Sequence, residues 1–88
     1  MIQARIRIMP KASILDPQGQ TVLHALESLG FQQARACRMG KFVTLDFHGV
    51  DQGEVEREVA QICKRLLVNP NTESWQADYV ELPDGEQA

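Results

Sequence analysis

Ile2-Gln3-Ala4-Arg5-Ile6-Arg7-Ile8-Met9 alternates strictly, with Ile2, Ala4, Ile6 and Ile8 on one side and Gln3, Arg5, Arg7 and Met9 on the other. Successive side chains of an extended chain point to opposite faces, so this is the pattern of a strand with one face on a core and the other face open. The rest of the chain reads outward from it. Asp16-Pro17 places a capping side chain before a proline at the first helical position, where the missing N–H costs nothing. Val22, Leu26 and Leu29, widened by Leu23, then repeat at helical spacing until Gly30 offers a left-handed C-terminal cap.

Ala34 to Met39 alternates only weakly, and Gly40-Lys41 punctuates before Val43, Leu45 and Phe47 alternate with Phe42, Thr44, Asp46 and His48. The expectation is a hairpin of two strands. Asp51 and Glu54 form a capping-box-like pair at the start of a second helix that carries Val55, Val59, Ile62, Cys63, Leu66 and Leu67 on one face. Asn69-Pro70 ends it, because the residue before proline disfavours the helical region. Trp75, Ala77 and Tyr79 mark a last strand, and residues 83–88 have no periodicity and are expected to form a flexible tail.

The order βαββαβ is the ferredoxin-like, α+β pattern. It implies a four-stranded antiparallel sheet with two helices on one face, built as a single domain over residues 1–82. The other sheet face would be open, with Arg5 and Arg7 in reach of Asp46 and Asp78, so it is expected to be charge-paired rather than greasy.

Eighty-eight residues allow one domain, and 43% hydrophobic with 24% charged residues is an ordinary folded composition. A chain this short gains stability from self-association. The net charge of −3 argues against sequence-independent nucleic-acid binding, which depends on neutralising phosphates. Basic residues outnumber acidic ones over residues 1–50 and the reverse holds afterwards, a split able to orient docking on a larger partner. The longest apolar run, Leu66 to Val68, is far short of a membrane span or a signal peptide, so a cytoplasmic protein without a membrane partner is expected.

Candidate chemistry is sparse. Cys37 and Cys63 have neither metal-site nor redox spacing and read as reduced core thiols. His24 and His48 have no carboxylate or cysteine at a spacing suited to a triad or a ligand set, and read as surface histidines. The sequence contains no phosphate-cradling glycine loop. The open face lacks the aromatics of an RNA-recognition domain, and Lys11-Ala12-Ser13-Ile14 lacks the paired cysteines of a metal chaperone. The residues therefore describe a small binding or assembly module with no catalytic residue, cofactor or metal of its own.

Lys11-Ala12-Ser13-Ile14-Leu15-Asp16-Pro17-Gln18-Gly19, then Leu26, Leu29-Gly30-Phe31, Met39-Gly40-Lys41-Phe42 and Ile62-Cys63-Lys64-Arg65-Leu66-Leu67-Val68-Asn69-Pro70 resemble the PurS family over about residues 3 to 80. PurS is the small subunit of phosphoribosylformylglycinamidine (FGAM) synthase in purine biosynthesis. The chain departs from the family pattern at Ala12-Ser13, commonly Pro-Gly, and at Arg7, commonly aromatic or aliphatic. The resemblance implies a non-catalytic subunit of an ATP-dependent ligase that converts formylglycinamide ribonucleotide, ATP and glutamine to FGAM, ADP, phosphate and glutamate. It implies partners, too: the PurQ glutaminase, the PurL synthetase, which uses ATP and Mg, and a second copy in a homodimer or higher homo-oligomer. In that division PurS bridges the two enzymes and assists ammonia transfer. Lys11, Asp16, Pro17, Gln18, Gly19, Gly40, Lys41, Asn69 and Pro70 are then the partner-binding candidates, although Asp16-Pro17, Gly40 and Asn69-Pro70 also have plain structural readings as helix start, turn glycine and helix stop. The competing reading is a regulatory ferredoxin-like domain that binds a small metabolite.

Overall fold

The structure, a computed structural model, describes residues 1–83; beyond Pro83 the expected tail lies outside the described residues. Strand β1 (Ile2–Pro10) is central and pairs antiparallel with both β2 (Lys41–Phe47) and β3 (Glu73–Glu81), in the order β2-β1-β3. The register runs from Ile2 opposite Phe47 to Ile8 opposite Lys41 on one side, and from Ile2 opposite Glu81 to Pro10 opposite Glu73 on the other. Its alternation works as the sequence requires. Ala4, Ile6 and Ile8 are buried, and Val43, Leu45, Phe47, Trp75, Ala77 and Tyr79 of the flanking strands pack around them.

Helix α2 (Gln52–Ile62) closes this core with Val55 and Val59, followed by Cys63. Asp51 caps it by accepting the Glu54 backbone N–H at 2.8 Å. The helix then widens into a π-helical turn over Cys63–Leu67, in which the Val68 N–H donates to the Cys63 carbonyl at 2.9 Å. The extra residue in that turn shifts the inward position. Leu67 packs on the core while Leu66, expected beside it on the same face, is 79% exposed.

Two features of the ferredoxin-like expectation are corrected. Among the described residues the sheet has three strands, and residues 34–39 join no ladder. Their backbone is claimed elsewhere: the Met39 N–H donates to the Asp16 carboxylate, and the carbonyl of Cys37 lies against Gly19. The two helices also do not share a sheet face. Helix α1 (Pro17–Ser28) contributes nothing to the core or to the apolar residues packed against it, and Gly19 is its one buried residue. It still ends as expected, because Gly30 at φ 93° lets the Phe31 and Gly30 N–H groups donate to the Leu26 and Glu27 carbonyls.

The open sheet face is polar. Arg7 pairs with Asp78 at 2.7 Å, as expected, but Asp46 accepts instead from the Gln3 amide at 2.9 Å, and the Gln3 carbonyl takes the Arg5 Nε at 2.8 Å. Gln3 is 2% exposed and spends both ends of its amide in this relay, which is how a buried polar side chain is accommodated.

Replacing Ile6 by alanine should cost about 2–5 kcal/mol of stability, the range for truncating a fully buried aliphatic side chain, while Leu66→Ala should cost under about 0.5 kcal/mol. Urea unfolding followed by Trp75 fluorescence measures both.

Candidate functional site: the clasped end of the molecule

A β-turn from Lys11 to Ile14, closed by the Ile14 N–H donating to the Lys11 carbonyl at 2.9 Å, leads from β1 to α1. Ala12 and Ser13 fill its central positions, and no non-glycine residue among those described has a positive φ. Asp16 follows and has two tasks. Its Oδ1 accepts the Gly19 N–H at 3.0 Å and caps α1, while Oδ2 accepts the Met39 N–H at 2.7 Å and binds the segment before β2. The hydrogen bonds from Met39 and Gly19, in that order, hold the Asp16 carboxyl below its ordinary value of 3.8.

Both glycines of the quoted motifs are there for close approach. A Cβ on Gly19 would run into the Cys37 carbonyl, and one on Gly40 would run into the Ile8 carbonyl and the Met9 sulfur. Arg38 completes the clasp, its guanidinium donating to the carbonyls of Pro10 at 2.6 Å and Lys11 at 2.7 Å. The far end of the molecule's third motif joins through Glu73. Its Oε1 accepts the Asn69 N–H at 2.9 Å, and its Oε2 lies 3.7 Å from the Lys41 Nζ. Asn69 in turn caps its own turn by accepting the Asn71 N–H at 3.0 Å, and the Lys11 N–H donates to the Thr72 carbonyl at 2.9 Å.

Residues 11–19, 40–41 and 69–70, far apart in sequence, therefore meet at one end of the sheet. A cleft of about 320 Å³ opens between the first two of these segments and the start of β3, lined by Asp16, Pro17, Gln18, Gly40, Lys41 and Glu73 among others. Lys11, Pro17, Gln18, Gly40, Lys41, Asn69 and Pro70 are exposed, Asp16 is half-buried and Gly19 is buried. Asp16, Gly19 and Gly40 thus shape the surface, whereas Lys11 and Gln18 present side chains to solvent. Lys41, which had no evident structural task in the sequence, has an exposed ion pair with Glu73, of a kind worth about 0–1 kcal/mol. Arg38 and Glu73 were not legible beforehand. An arginine in a weakly patterned stretch does not announce two carbonyl partners, and the one hint for Glu73 is its position four residues after Asn69 at a turn.

His24 and His48 are exposed. Cys63 is buried, and burial pushes its thiol up; burial, followed by the charges of Glu56 and Cys63, does the same to Tyr79. Cys37, expected in the core, is instead half-buried beside the start of α1. Among the described residues no group of three His, Cys, Asp or Glu side chains lies where it could hold a metal ion, and no helix is long and apolar enough to cross a membrane.

What this geometry defines is a small α+β domain, whose most elaborately built feature among the described residues is an exposed, clasped end. The chain belongs to the PurS family: the family model described as "Phosphoribosylformylglycinamidine (FGAM) synthase" matches residues 3–81. It is 34% identical over 70 residues to the PurS subunit of FGAM synthase from Methanocaldococcus jannaschii, covering 80% of this chain and 84% of that one. With the Bacillus subtilis PurS subunit it shares 30% over 82 residues, covering 93% and 96%. The crystal structure of the M. jannaschii PurS superposes with a TM-score of 0.85 at 28% identity, covering 94% of this chain and all of that one. A chain in the structure of PurLQS from Thermotoga maritima has the same fold, with a TM-score of 0.82 at 23% identity over 90% of this chain and 96% of that one. This chain is thus a PurS-type subunit of FGAM synthase.

Two outcomes check the clasp. Asp16→Asn keeps a capping oxygen for Gly19 but turns an amide donor towards the Met39 N–H. Because the folded carboxyl is held below its unfolded value, Asp16 stabilises the fold above about pH 3.8 and that contribution is lost as the pH falls through the lower, folded value. Far-UV circular dichroism should show the wild-type chain losing helix on acidification in this range, with Asp16→Asn already reduced at pH 7 and flatter below it. Thiol titration at pH 8 should label Cys37 in the native chain and Cys63 only after unfolding.

Proposed function

We propose that the clasped end is the surface on which this subunit docks the PurQ glutaminase and the PurL synthetase, bridging them so that ammonia passes from one to the other in the cytoplasm. The observation that supports this most is the convergence of the three motifs, Asp16-Pro17-Gln18-Gly19, Gly40-Lys41 and Asn69-Pro70, on one exposed end held in shape by Asp16, Arg38 and Glu73. The chain carries no cofactor in this reading, ATP and Mg being used on the synthetase.

The chemistry explains why such a subunit is worth having. Ammonia released from glutamine loses its nucleophilic lone pair once protonated and is diluted once it diffuses away, so the two active sites must be docked and the path between them shielded from water. Docking asks for a rigid surface. A loop secured by carboxylate and guanidinium contacts to backbone groups arrives already ordered, so less conformational entropy is lost when the partners bind.

Glutamine-dependent FGAM synthesis by the PurQ and PurL proteins of the same organism, with and without this chain, tests the reading against an ammonia-driven control. Glutamine-dependent turnover should require the chain and ammonia-driven turnover should not. Lys11→Glu should lower the glutamine-dependent rate on the order of tenfold, as expected for loss of one contact worth ~1.4 kcal/mol, and leave the ammonia-driven rate unchanged. Glutamine-dependent turnover that is indifferent to the chain refutes the proposal.

A further inference from the structure

The exit of α2 carries a side chain that its own periodicity would bury. Val55, Val59, Ile62 and Cys63 follow helical spacing, and Leu66, four residues after Ile62 and three after Cys63, is the next inward position. The π-helical turn over Cys63–Leu67 breaks that series, because the Val68 N–H reaches back five residues to the Cys63 carbonyl. Leu67 and Val68 take the places on the core. Leu66 is left 79% exposed, more than any other large apolar side chain among the described residues. A single exposed leucine is ordinary on a protein surface. One turned out of a helix's apolar face by a π-helical turn is not, and such turns inside helices are frequently found at functional sites.

The neighbours of Leu66 indicate what it faces. Lys64 and Arg65 are both exposed, and neither side chain enters an ion pair or a hydrogen bond among the described residues. After position 50 the basic residues are Arg57, Lys64 and Arg65, set among a majority of carboxylates, so most of the positive charge of that half stands beside this one leucine. A cation at a helix C-terminus complements the helix dipole. That accounts for positive charge at the end of α2 and not for the apolar side chain placed next to it.

We infer that Lys64-Arg65-Leu66 is a docking point at which Leu66 enters an apolar socket on a larger subunit of FGAM synthase, with Lys64 and Arg65 meeting carboxylates on the rim of that socket. Protein interfaces commonly combine an apolar anchor with a polar rim: the anchor supplies affinity once water is excluded, and the rim charges orient the approach. A second copy of this chain fits poorly, since a two-fold contact centred on Leu66 would set Lys64 and Arg65 against their own duplicates. The place in the fold suits the role. Leu66 precedes Asn69 by three residues, a span of at most roughly 11 Å, so this turn extends the clasped end. The inference rests on the reading of the chain as a docking subunit, and adds to it an anchoring side chain and the chemistry of the surface that receives it.

Because Leu66 lies outside the core, its truncation reports on binding separately from folding. Fluorescence anisotropy of the dye-labelled full chain, titrated with PurQ, with PurL and with both together, measures the affinities. Leu66→Ala should weaken association with one of the two subunits on the order of tenfold or more while its urea midpoint stays close to that of the wild type, and Leu66→Met should restore most of the loss. Lys64→Glu/Arg65→Glu should weaken the same association on the order of tenfold, and should remove most of the salt dependence that the wild-type affinity shows. A Leu66→Ala chain that binds as the wild type does, or a charge reversal that leaves binding unchanged, overturns the inference. So does a Leu66→Ala chain that sediments alone at a different mass from the wild type, which would assign the turn to a contact between copies. In each of these cases the wild-type chain still binds and the docking role stands, whereas a wild-type chain that binds neither subunit refutes that role and this inference with it.

Discussion

One carboxylate holds the two parts of this molecule together. Asp16 caps α1 through one oxygen and takes the Met39 N–H through the other, so the helix that stays off the core is fastened to the segment that enters β2. Few other contacts could do this work, because the apolar residues of α1 do not reach the sheet. Gly19 is required by the same fastening, since the Cys37 carbonyl occupies the space where a Cβ would stand. Arg38 adds a second strap to the turn before the helix. The Asp16 and Gly19 of the D-P-Q-G motif are therefore explained by this fastening, while Pro17 and Gln18 are left exposed.

The parts of the fold with strong periodicity were legible. Strand β1 alternated without exception, and Ile6 and Ile8 are buried where the alternation puts them. Both helix starts followed from Asp16 and Asp51, whose side chains cap as their positions imply. The missing strand failed for a reason visible in its own composition. Residues 34–39 had no run of bulky alternating side chains, and their backbone groups found partners in Asp16 rather than in a neighbouring strand. Leu66 failed differently, because a helical wheel assumes 3.6 residues per turn and the π-helical turn does not keep that period. On the open face, charge counting paired Asp46 with an arginine, but the buried Gln3 amide stands between them.

The candidate site was legible as a set of motifs and not as a place. Sequence placed Lys11, Asp16 and Gln18 near one another, but nothing in it brought Gly40-Lys41 and Asn69-Pro70 to the same end. The central strand does that: its last residues, Ile8 to Pro10, are flanked by the start of β2 on one side and the start of β3 on the other. Three motifs then fall together because each sits at the same end of an antiparallel ladder. The polar clasped end that results is held in shape by side-chain contacts to backbone groups rather than by apolar packing.

The docking role of the clasped end is tested most directly by site-specific photo-cross-linking in the assembled complex. A photoreactive residue at position 18 should cross-link to PurQ or PurL, and one at position 58, on the exposed side of α2, should not. Cross-links from position 58 with none from position 18 would contradict the account, since the larger subunits would then be held by α2 and the converging motifs would be architecture alone.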